Sequence, residues 1–491
     1  MVNDKSNFNQ AFWLSISSAS SMLVGILSAV ILSRYFDKVE YGTYKQIMFV
    51  YNTLLVVFQA GLPAVFTYFL PRYNHGEGKF IVKKINKLLF IFGLFFSITI
   101  FFSADYIAFL LNNAELAKGL KVFSIFPVFT LSTFGVEGIY TVNKNTKFVA
   151  IYNTVTRLLM LLCIVLPVIL IKNDYITAIY GWGVASFITF VIAIIAKNLP
   201  YKNGKVVVIP NITKEIFKYT LPITGSALVL ILFNSVNQFY ISRYYGTAEF
   251  ADYSNGFITL PFVPIIIAPI RALLTPAFSK ASKDGYYGDA FNLLYSGMQQ
   301  VAILILPLIV FSFYFSKDIM VFLYGQSYAV SSDYFRIFLI FNVAEIFMFS
   351  GIISAIGKPH VYFVFSSLCT ILIWSVDYIL IKYSQSTAFI IASVFVLFNV
   401  MMLYVLPYIY LTVKQKFILV NKNTVSIFIR CLIHSSIVGF AVSVLSLKFI
   451  PISTPIVRLS IGVVVFYLLL LLSSRIVNIN YLQALYKIVK K

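Results

Sequence analysis

The residues of this sequence best placed to do chemistry are charged side chains inside long apolar segments. Arg157 and Arg271 each lie about 12 Å into such a segment, and Glu137 lies at a comparable depth, by the rise of ~1.5 Å per helical residue. A charge in hydrocarbon is costly unless it has a partner or an aqueous cavity. Glu137 and Arg157 can pair with each other. Arg271 has no obvious acidic neighbour in sequence, and its planar fork suits phosphate or pyrophosphate.

Two more carboxyl groups, Glu345 and Asp377, lie within apolar segments. A buried carboxyl group can bind H⁺ or Na⁺, so both are candidates for ion coupling, as is Glu137. The alternative is a structural, hydrogen-bonded carboxyl group.

Amide side chains also share one face of a predicted helix, namely Asn234, Asn237 and Gln238. Each amide must find a partner or water, which favours a water-filled cavity; the alternative is helix packing. The first apolar segment carries a similar face of serines: Ser17, Ser21 and Ser28.

The composition requires a bilayer around these residues. The 491 residues are 60% hydrophobic and only 11% charged, and their mean hydropathy is +0.89. That apolar surface cannot be buried in a water-soluble core. The net charge of +21 lies in short loops rather than on a soluble basic domain, which argues against nucleic-acid binding. All three cysteines lie in apolar segments, so no disulfide framework, metal site or cofactor is predicted.

Hydropathy predicts an all-α polytopic membrane protein with about fourteen transmembrane helices. The predicted spans are 11–33, 44–70, 88–111, 120–142, 149–171, 176–197, 218–241, 254–279, 293–316, 334–357, 361–381, 388–412, 425–447 and 456–474. Residues 33–44 recur as residues 242–253 with about five identities in twelve. Six spans separate the two copies, which predicts two parallel six-helix repeats followed by two C-terminal helices.

The same pattern divides the chain. The predicted N-terminal lobe is 1–200, the linker 201–217, the C-terminal lobe 218–413, and the last two helices with a tail 414–491. Lys and Arg number about 23 in loops on the side of the N-terminus and about 12 on the other, which predicts that both termini are cytoplasmic.

Residues 32–72 resemble a known family. They contain Leu-Ser-Arg-Tyr-Phe, then Glu-Tyr-Gly-Thr-Tyr, then a span ending in Ala-Gly-Leu-Pro, as in the first helical hairpin of bacterial polysaccharide-lipid flippases. These are the O-antigen and capsule-unit translocases of the multidrug and oligosaccharidyl-lipid exporter superfamily. The run 351–359, ending Ile-Gly-Lys-Pro and echoed weakly at 138–146, is a second point of similarity.

The resemblance implies a two-lobed bundle like that of the MATE exporters, and a transporter rather than an enzyme. Its substrate would be an undecaprenyl-pyrophosphate-linked oligosaccharide, flipped by alternating access from the inner to the outer leaflet of the bacterial inner membrane for O-antigen, capsule or exopolysaccharide synthesis. Related flippases line a central cationic cavity with the first, second, seventh and eighth helices. That placement would put Arg271, Asn234, Asn237 and Gln238 in the cavity. Arg157 and Arg34 are also expected to bind the substrate. The implied partners are the bilayer, a coupling ion (H⁺ or Na⁺) and a polysaccharide polymerase.

The first two helices lack the internal arginines of the lipid II branch, since only Arg34 lies near them, which favours a glycan unit as substrate. The alternative is a cation-coupled multidrug exporter of the same superfamily. The sign of the cavity distinguishes the two, because a positive cavity suits an anionic lipid and a negative one suits cationic drugs.

Overall fold

The computed structural model describes residues 4–202, 205–449 and 455–484, and within these ranges it is helical with no strand. Residues 203 and 204 of the predicted linker and 485–491 of the predicted tail lie outside the described residues. The chain forms two compact units, Met1–Ala251 and Asp252–Lys491.

The first unit is built from ten helices and the start of an eleventh within the described ranges. These are α1 (Asp4–Tyr35), α2 (Lys38–Gln59), α3 (Pro63–Phe69), α4 (His75–Leu110), α5 (Glu115–Phe123), α6 (Pro127–Thr133), α7 (Val136–Val142), α8 (Thr146–Leu170), α9 (Tyr175–Asn198), α10 (Ile212–Tyr245) and α11 (Thr247–Gly256). Short 3₁₀ turns follow α3 at Leu70–Arg72 and α9 at Leu199–Tyr201.

The second unit continues with the end of α11 and, in its described part, ten further helices. These are α12 (Phe262–Asp284), α13 (Gly288–Tyr314), α14 (Ser316–Tyr324), α15 (Ser331–Ala344), α16 (Phe349–Ala355), α17 (Pro359–Ser384), α18 (Ala388–Val400), α19 (Leu406–Ile409), α20 (Lys422–Phe449) and α21 (Pro455–Leu472). Two π-helical turns, Met401–Val405 and Tyr410–Lys414, join α18 and α19 into one run that ends at Lys414. Two 3₁₀ turns, Gln326–Tyr328 and Glu345–Phe347, flank α15.

Within the described residues, 12 helices are long and apolar enough to cross a membrane, or up to 14 if each of two bent pairs is one span. The predicted fold class is confirmed. The bent pairs correspond to the predicted spans 120–142 and 334–357, bent by 51° and 43° respectively. Each is the fourth span of its predicted six-helix repeat. Interrupted spans at corresponding positions of two repeats are a feature of transporter folds.

Local sequence accounts for both interruptions. Pro127 begins α6 after the first bend and cannot donate a backbone hydrogen bond to the preceding turn. Gly135, at φ 105°, then separates α6 from α7. In the second bent pair, Met348 adopts φ 52° between the 3₁₀ turn and α16. A left-handed residue ends the regular helical hydrogen bonding, so each span is broken inside its apolar stretch.

The repeated stretch forms a helix junction in both places. The copy at 33–44 contains the end of α1 at Tyr35 and the start of α2 at Lys38, while the copy at 242–253 contains the junction between α10 and α11. Asp37 caps α2, because its carboxylate accepts hydrogen bonds from the backbone amides of Val39 and Glu40, both at 2.8 Å. The seventh span, α10, packs on α2 and α3 and belongs to the first unit. The lobe boundary at 201–217 stays a prediction.

The last two helices are tied to the second unit by a buried charge pair. Arg458 of α21 donates a 2.9 Å hydrogen bond to the Asp318 carboxylate on α14, and both side chains are buried. Breaking one partner of such a pair leaves a buried charge uncompensated, so this contact fixes α21 in place.

Candidate functional site: a polar cavity in the first unit

The first unit encloses a cavity of about 730 Å³. Residues from α1, α2, α8 and α9 line it, together with α6, α7 and the turn between them, which belong to the first bent span. Its polar lining consists of Ser17, Ser18, Ser21, Ser28, Tyr44, Lys45, Tyr51, Asn52, Thr130, Thr133, Glu137, Tyr152, Asn153, Thr156, Arg157, Trp182, Ser186 and Thr189. Hydroxyl and amide groups therefore outnumber charged groups, which gives a wall suited to water or to a hydroxyl-rich ligand.

Two cations and one carboxylate face this cavity: Lys45, Arg157 and Glu137. Within the described residues no ion pair of 4.0 Å or less joins any of these three. The expectation that Glu137 and Arg157 pair is therefore wrong, although both reach the same cavity. Together these three side chains give the lining a formal charge of +1.

Small polar residues hold two walls of the cavity together. Asn153 of α8 donates a 2.7 Å hydrogen bond to the Ser17 hydroxyl of α1, and the hydroxyls of Ser20 and Thr154 lie 2.9 Å apart. Part of the serine face of α1 therefore serves helix packing. Ser17, Ser21 and Ser28 also line the cavity, so the same face has both of the roles that the sequence left open.

A buried lysine braces the broken span beside the cavity. Lys197 of α9 is 1% exposed, and its ammonium group donates to the backbone carbonyls of Ser132 at 2.6 Å and Phe134 at 3.2 Å. These carbonyls lie at the break between α6 and α7, where regular helical partners are missing. Gly135 is required there, since a Cβ atom would overlap with the ring of Phe66. Glu137, in the first turn of α7 directly after this break, lines the cavity.

The other residues predicted for the first unit lie elsewhere. Asn237 is fully buried in α10, and neither its amide nitrogen nor its amide oxygen has a hydrogen-bond partner within the part of the chain that the structure describes. Asn234 and Gln238 are half-buried on the same helix. Arg34 is exposed in the last turn of α1. None of these four lines the 730 Å³ cavity.

In the second unit, Arg271 has an acidic neighbour. Its guanidinium group on α12 lies 3.8 Å from the carboxylate of Glu345. The sequence-based expectation of an isolated arginine is wrong, because the partner comes from a 3₁₀ turn that is distant along the chain. The Arg271 side chain remains 43% exposed and that of Glu345 is 15% exposed.

Asp377 of α17 is fully buried, and within residues 205–449 and the other described ranges neither of its carboxylate oxygens has a hydrogen-bond partner. A buried carboxylate without partners is unstable as an anion and favours a bound proton or cation. The described residues contain no group of three or more His, Cys, Asp or Glu side chains that could hold a metal ion.

Sequence reasoning missed Lys45, Asn52 and the pair Asn153 and Thr156. A signal for Lys45 was available, since it is a charged residue directly after the first copy of the repeat and inside the predicted span 44–70. In the structure it lies two turns into α2, with its ammonium group 5.2 Å from the centre of the Tyr41 ring. Asn52 and Asn153 gave no signal, because they face the cavity only through the packing of α2 and α8 in the first unit.

Comparison with solved structures places this fold among known membrane transporters. A lipid II flippase, MurJ, in an inward closed conformation has a TM-score of 0.70 at 16% identity, over 94% of this chain and 98% of that one. A multidrug resistance MATE family transporter of the MOP superfamily, in an inward-facing conformation, has a TM-score of 0.65 at 12% identity, over 82% and 99%. A MOP superfamily transporter from Pyrococcus furiosus, described as having a binding pocket of reversed polarity, has a TM-score of 0.59 at 13% identity, over 83% and 94%.

The chain is thus a multi-pass membrane protein with the fold shared by MurJ and the MATE transporters. A search of curated proteins found no match. Residues 31–333 match a family described as polysaccharide biosynthesis protein, and this protein belongs to that family.

Proposed function

We propose that this protein translocates undecaprenyl-pyrophosphate-linked oligosaccharide repeat units from the inner to the outer leaflet of the bacterial cytoplasmic membrane, by alternating access, for O-antigen, capsule or exopolysaccharide synthesis. The observation that carries the proposal is the first-unit cavity, where Lys45 and Arg157 outnumber Glu137 among hydroxyl and amide groups. The polysaccharide biosynthesis family and the flippase fold support it. On this proposal the protein is a transporter and not an enzyme.

The polar groups of the proposed cargo match the polar lining of the cavity. A polyprenyl tail can remain in lipid, whereas a pyrophosphate and several sugars need a hydrated path through ~30 Å of hydrocarbon. Arg157 can donate two parallel hydrogen bonds to phosphate oxygens, and Lys45 adds a point charge to the lining. Asn52, Asn153 and the serines of α1 then offer donors and acceptors to sugar hydroxyls.

Arg271 and Glu345 supply the proposed coupling in the second unit. A separation of 3.8 Å in a half-exposed setting is a weak ion pair, so phosphate can compete with Glu345 for the guanidinium group. Protonation of Glu345 would release Arg271 and strengthen its hold on phosphate. Asp377 is the proposed second carrier of a proton or Na⁺, and Glu137 the proposed ion-coupling carboxylate of the first unit.

The remaining predicted residues, Arg34, Asn234, Asn237 and Gln238, are proposed to contact the cargo in other states of the transport cycle. The loop distribution of Lys and Arg supports both termini on the cytoplasmic side. A polysaccharide polymerase that receives the flipped unit is the proposed protein partner.

The second candidate function is cation-coupled drug export. The buried Asp377 and the MATE-like fold favour it, because MATE transporters share this architecture. The charge of the first-unit cavity disfavours it, since a cationic drug would be repelled by Lys45 and Arg157.

Deleting the gene in its host tests both functions. We expect lipid-linked oligosaccharide to accumulate on the cytoplasmic leaflet and surface glycan to disappear, with both restored by the wild-type gene. Drug sensitivity should not change. Normal surface glycan in the deletion strain, together with increased sensitivity to cationic drugs, would replace the flippase proposal with the exporter.

A further inference from the structure

A second pocket of about 490 Å³ lies in the first unit, away from the polar cavity. It is formed where α3 ends and α10 begins, and its lining is Tyr68, Phe69, Arg72, Tyr73, Glu215, Lys218 and Tyr219. A volume of this size falls in the range of small-ligand sites, about 300–1,000 Å³.

The pocket contains a three-layer stack. The rings of Tyr68 and Tyr219 are stacked with centres 4.0 Å apart and an interplanar angle of 19°, and the Arg72 guanidinium group covers the other face of this pair, 3.6 Å from the centre of the Tyr68 ring. Phe69 packs edge-on against both tyrosines. A flexible arginine is thereby held in one orientation, and because stacking uses only the face of the guanidinium group, its N–H edge remains free to donate.

The charges of the pocket are not neutralised internally. Within the described residues neither Arg72 nor Lys218 forms an ion pair. The carboxylate of the pocket, Glu215, instead accepts a hydrogen bond of 3.4 Å from the Tyr73 hydroxyl. Burial and the nearby Glu215 carboxylate raise the pKa of that hydroxyl, so it remains a donor.

The rim of the pocket is anchored. Asn74 and Glu77 form a reciprocal capping box at the start of α4, directly after Tyr73. The adjacent His75 ring lies 2.9 Å from the Pro200 carbonyl, and the Val207 amide donates to the Gly76 carbonyl at 3.2 Å. The pocket therefore does not need to be assembled by its ligand, which lowers the entropic cost of binding.

We propose that this pocket is a binding site for a phosphate group that carries hydroxyl-bearing neighbours. Arg72 and Lys218 would bind the phosphate oxygens, while Tyr73 and Glu215 would bind adjacent hydroxyl groups. The headgroup of phosphatidylglycerol has this chemistry, and so does a glycosyl phosphate. The site is independent of the transport proposal, because its lining shares no residue with the polar cavity.

Binding to the purified full-length protein tests the site. Native mass spectrometry would compare phosphatidylglycerol with phosphatidylcholine, and calorimetry would titrate N-acetylglucosamine 1-phosphate. We expect at least one anionic ligand to bind, and Arg72→Ala and Lys218→Ala each to weaken it about tenfold, as for a lost hydrogen bond to a charged group. Lys83→Ala is the matched control, because Lys83 is an exposed lysine of α4 outside the pocket.

Each outcome of the binding measurements either supports the site or overturns it. Binding of phosphatidylglycerol alone identifies a membrane lipid as the source, and binding of the sugar phosphate alone identifies a glycosyl phosphate. Absence of binding to both, or an equal loss with Lys83→Ala, overturns the site. If Arg72→Ala does not fold, as judged by gel filtration and melting temperature, Arg72→Gln replaces it, because glutamine keeps a polar side chain but removes the charge; unchanged affinity in that variant would also overturn the proposal. None of these measurements involves transport, so failure here leaves the flippase proposal standing.

Discussion

Gln46, two residues after the first copy of the repeated stretch, contacts Ser242, the first residue of the second copy. The Gln46 amide of α2 donates a 2.7 Å hydrogen bond to the Ser242 hydroxyl of α10, and both side chains are fully buried. The amide of Asn113 donates to Gln46 at 2.6 Å and to Thr43 at 2.9 Å, completing the network. Thr43 of the first copy and Ser242 of the second therefore belong to one hydrogen-bond network.

Replacing Gln46 should destabilise the first unit. In Gln46→Leu, Ser242 and Asn113 lose a partner in a buried setting, at a cost of about 1–3 kcal/mol. Ser242→Ala should cost less, because it leaves one buried group, the Gln46 amide nitrogen, without its partner rather than two. Thermal melting of the single and double variants in detergent measures the coupling, and strictly additive losses would contradict a shared network.

Gly42 should not accept a side chain. A Cβ atom there would overlap with the backbone carbonyl oxygen of Thr247, and backbone moves less easily than a side chain. Gly42→Ala is expected to cost about 1–3 kcal/mol through overpacking. Gly25→Ala in α1 is the control, since no atom lies within 4 Å of its added Cβ and alanine favours helix. Equal melting temperatures for the two variants would show that the α2 junction is loosely packed.

Arg157→Ala should abolish surface glycan without lowering the amount of protein in the membrane, because the variant removes from the cavity wall the guanidinium group that is proposed to bind phosphate. Lys45→Ala should weaken export less, as a point charge gives a less directional contact. Lys147→Ala is the control, since Lys147 is an exposed cation that lies on α8, like Arg157, but outside the cavity. Glycan blotting and membrane immunoblotting provide the readouts. Wild-type glycan in Arg157→Ala would remove this residue from the binding site.

Substitutions of Arg271 and Glu345 test whether this ion pair is only structural or also couples export to pH. Arg271→Ala should lower export if the guanidinium group binds phosphate. Glu345→Gln keeps the shape of the side chain but removes its charge, so Arg271 should hold anionic cargo more firmly and export should become less dependent on external pH. The rate of export, measured in cells across pH 5.5–8, tests the expected loss of pH dependence. A tenfold change in rate corresponds to ~1.4 kcal/mol of activation free energy. An unaltered pH profile would leave the pair structural.

The sequence was sufficient to predict the membrane spans, but not to predict which charged side chains pair. Hydropathy alone locates both bent spans, and Arg157 and Glu137 do reach a common cavity. The partner of Arg271 could not be found, because Glu345 meets it through tertiary packing and not through helical spacing. The cavity role of Lys45 depends in the same way on how α2 packs. Local pattern predicts the elements, whereas their mutual rotation decides which side chains meet.

Lys197 explains how a broken span is kept in the membrane. Its ammonium group satisfies the Ser132 and Phe134 carbonyls, which would otherwise be buried without partners. Lys197→Met preserves much of the apolar stem but removes these donors, so we expect a loss of about 1–3 kcal/mol and a fall in melting temperature. Export should decline as well, because Glu137 and the cavity wall depend on the break. Lys83→Met, an exposed lysine change, should alter neither property. A stable Lys197→Met variant with normal export would mean that water can replace the lysine at this break.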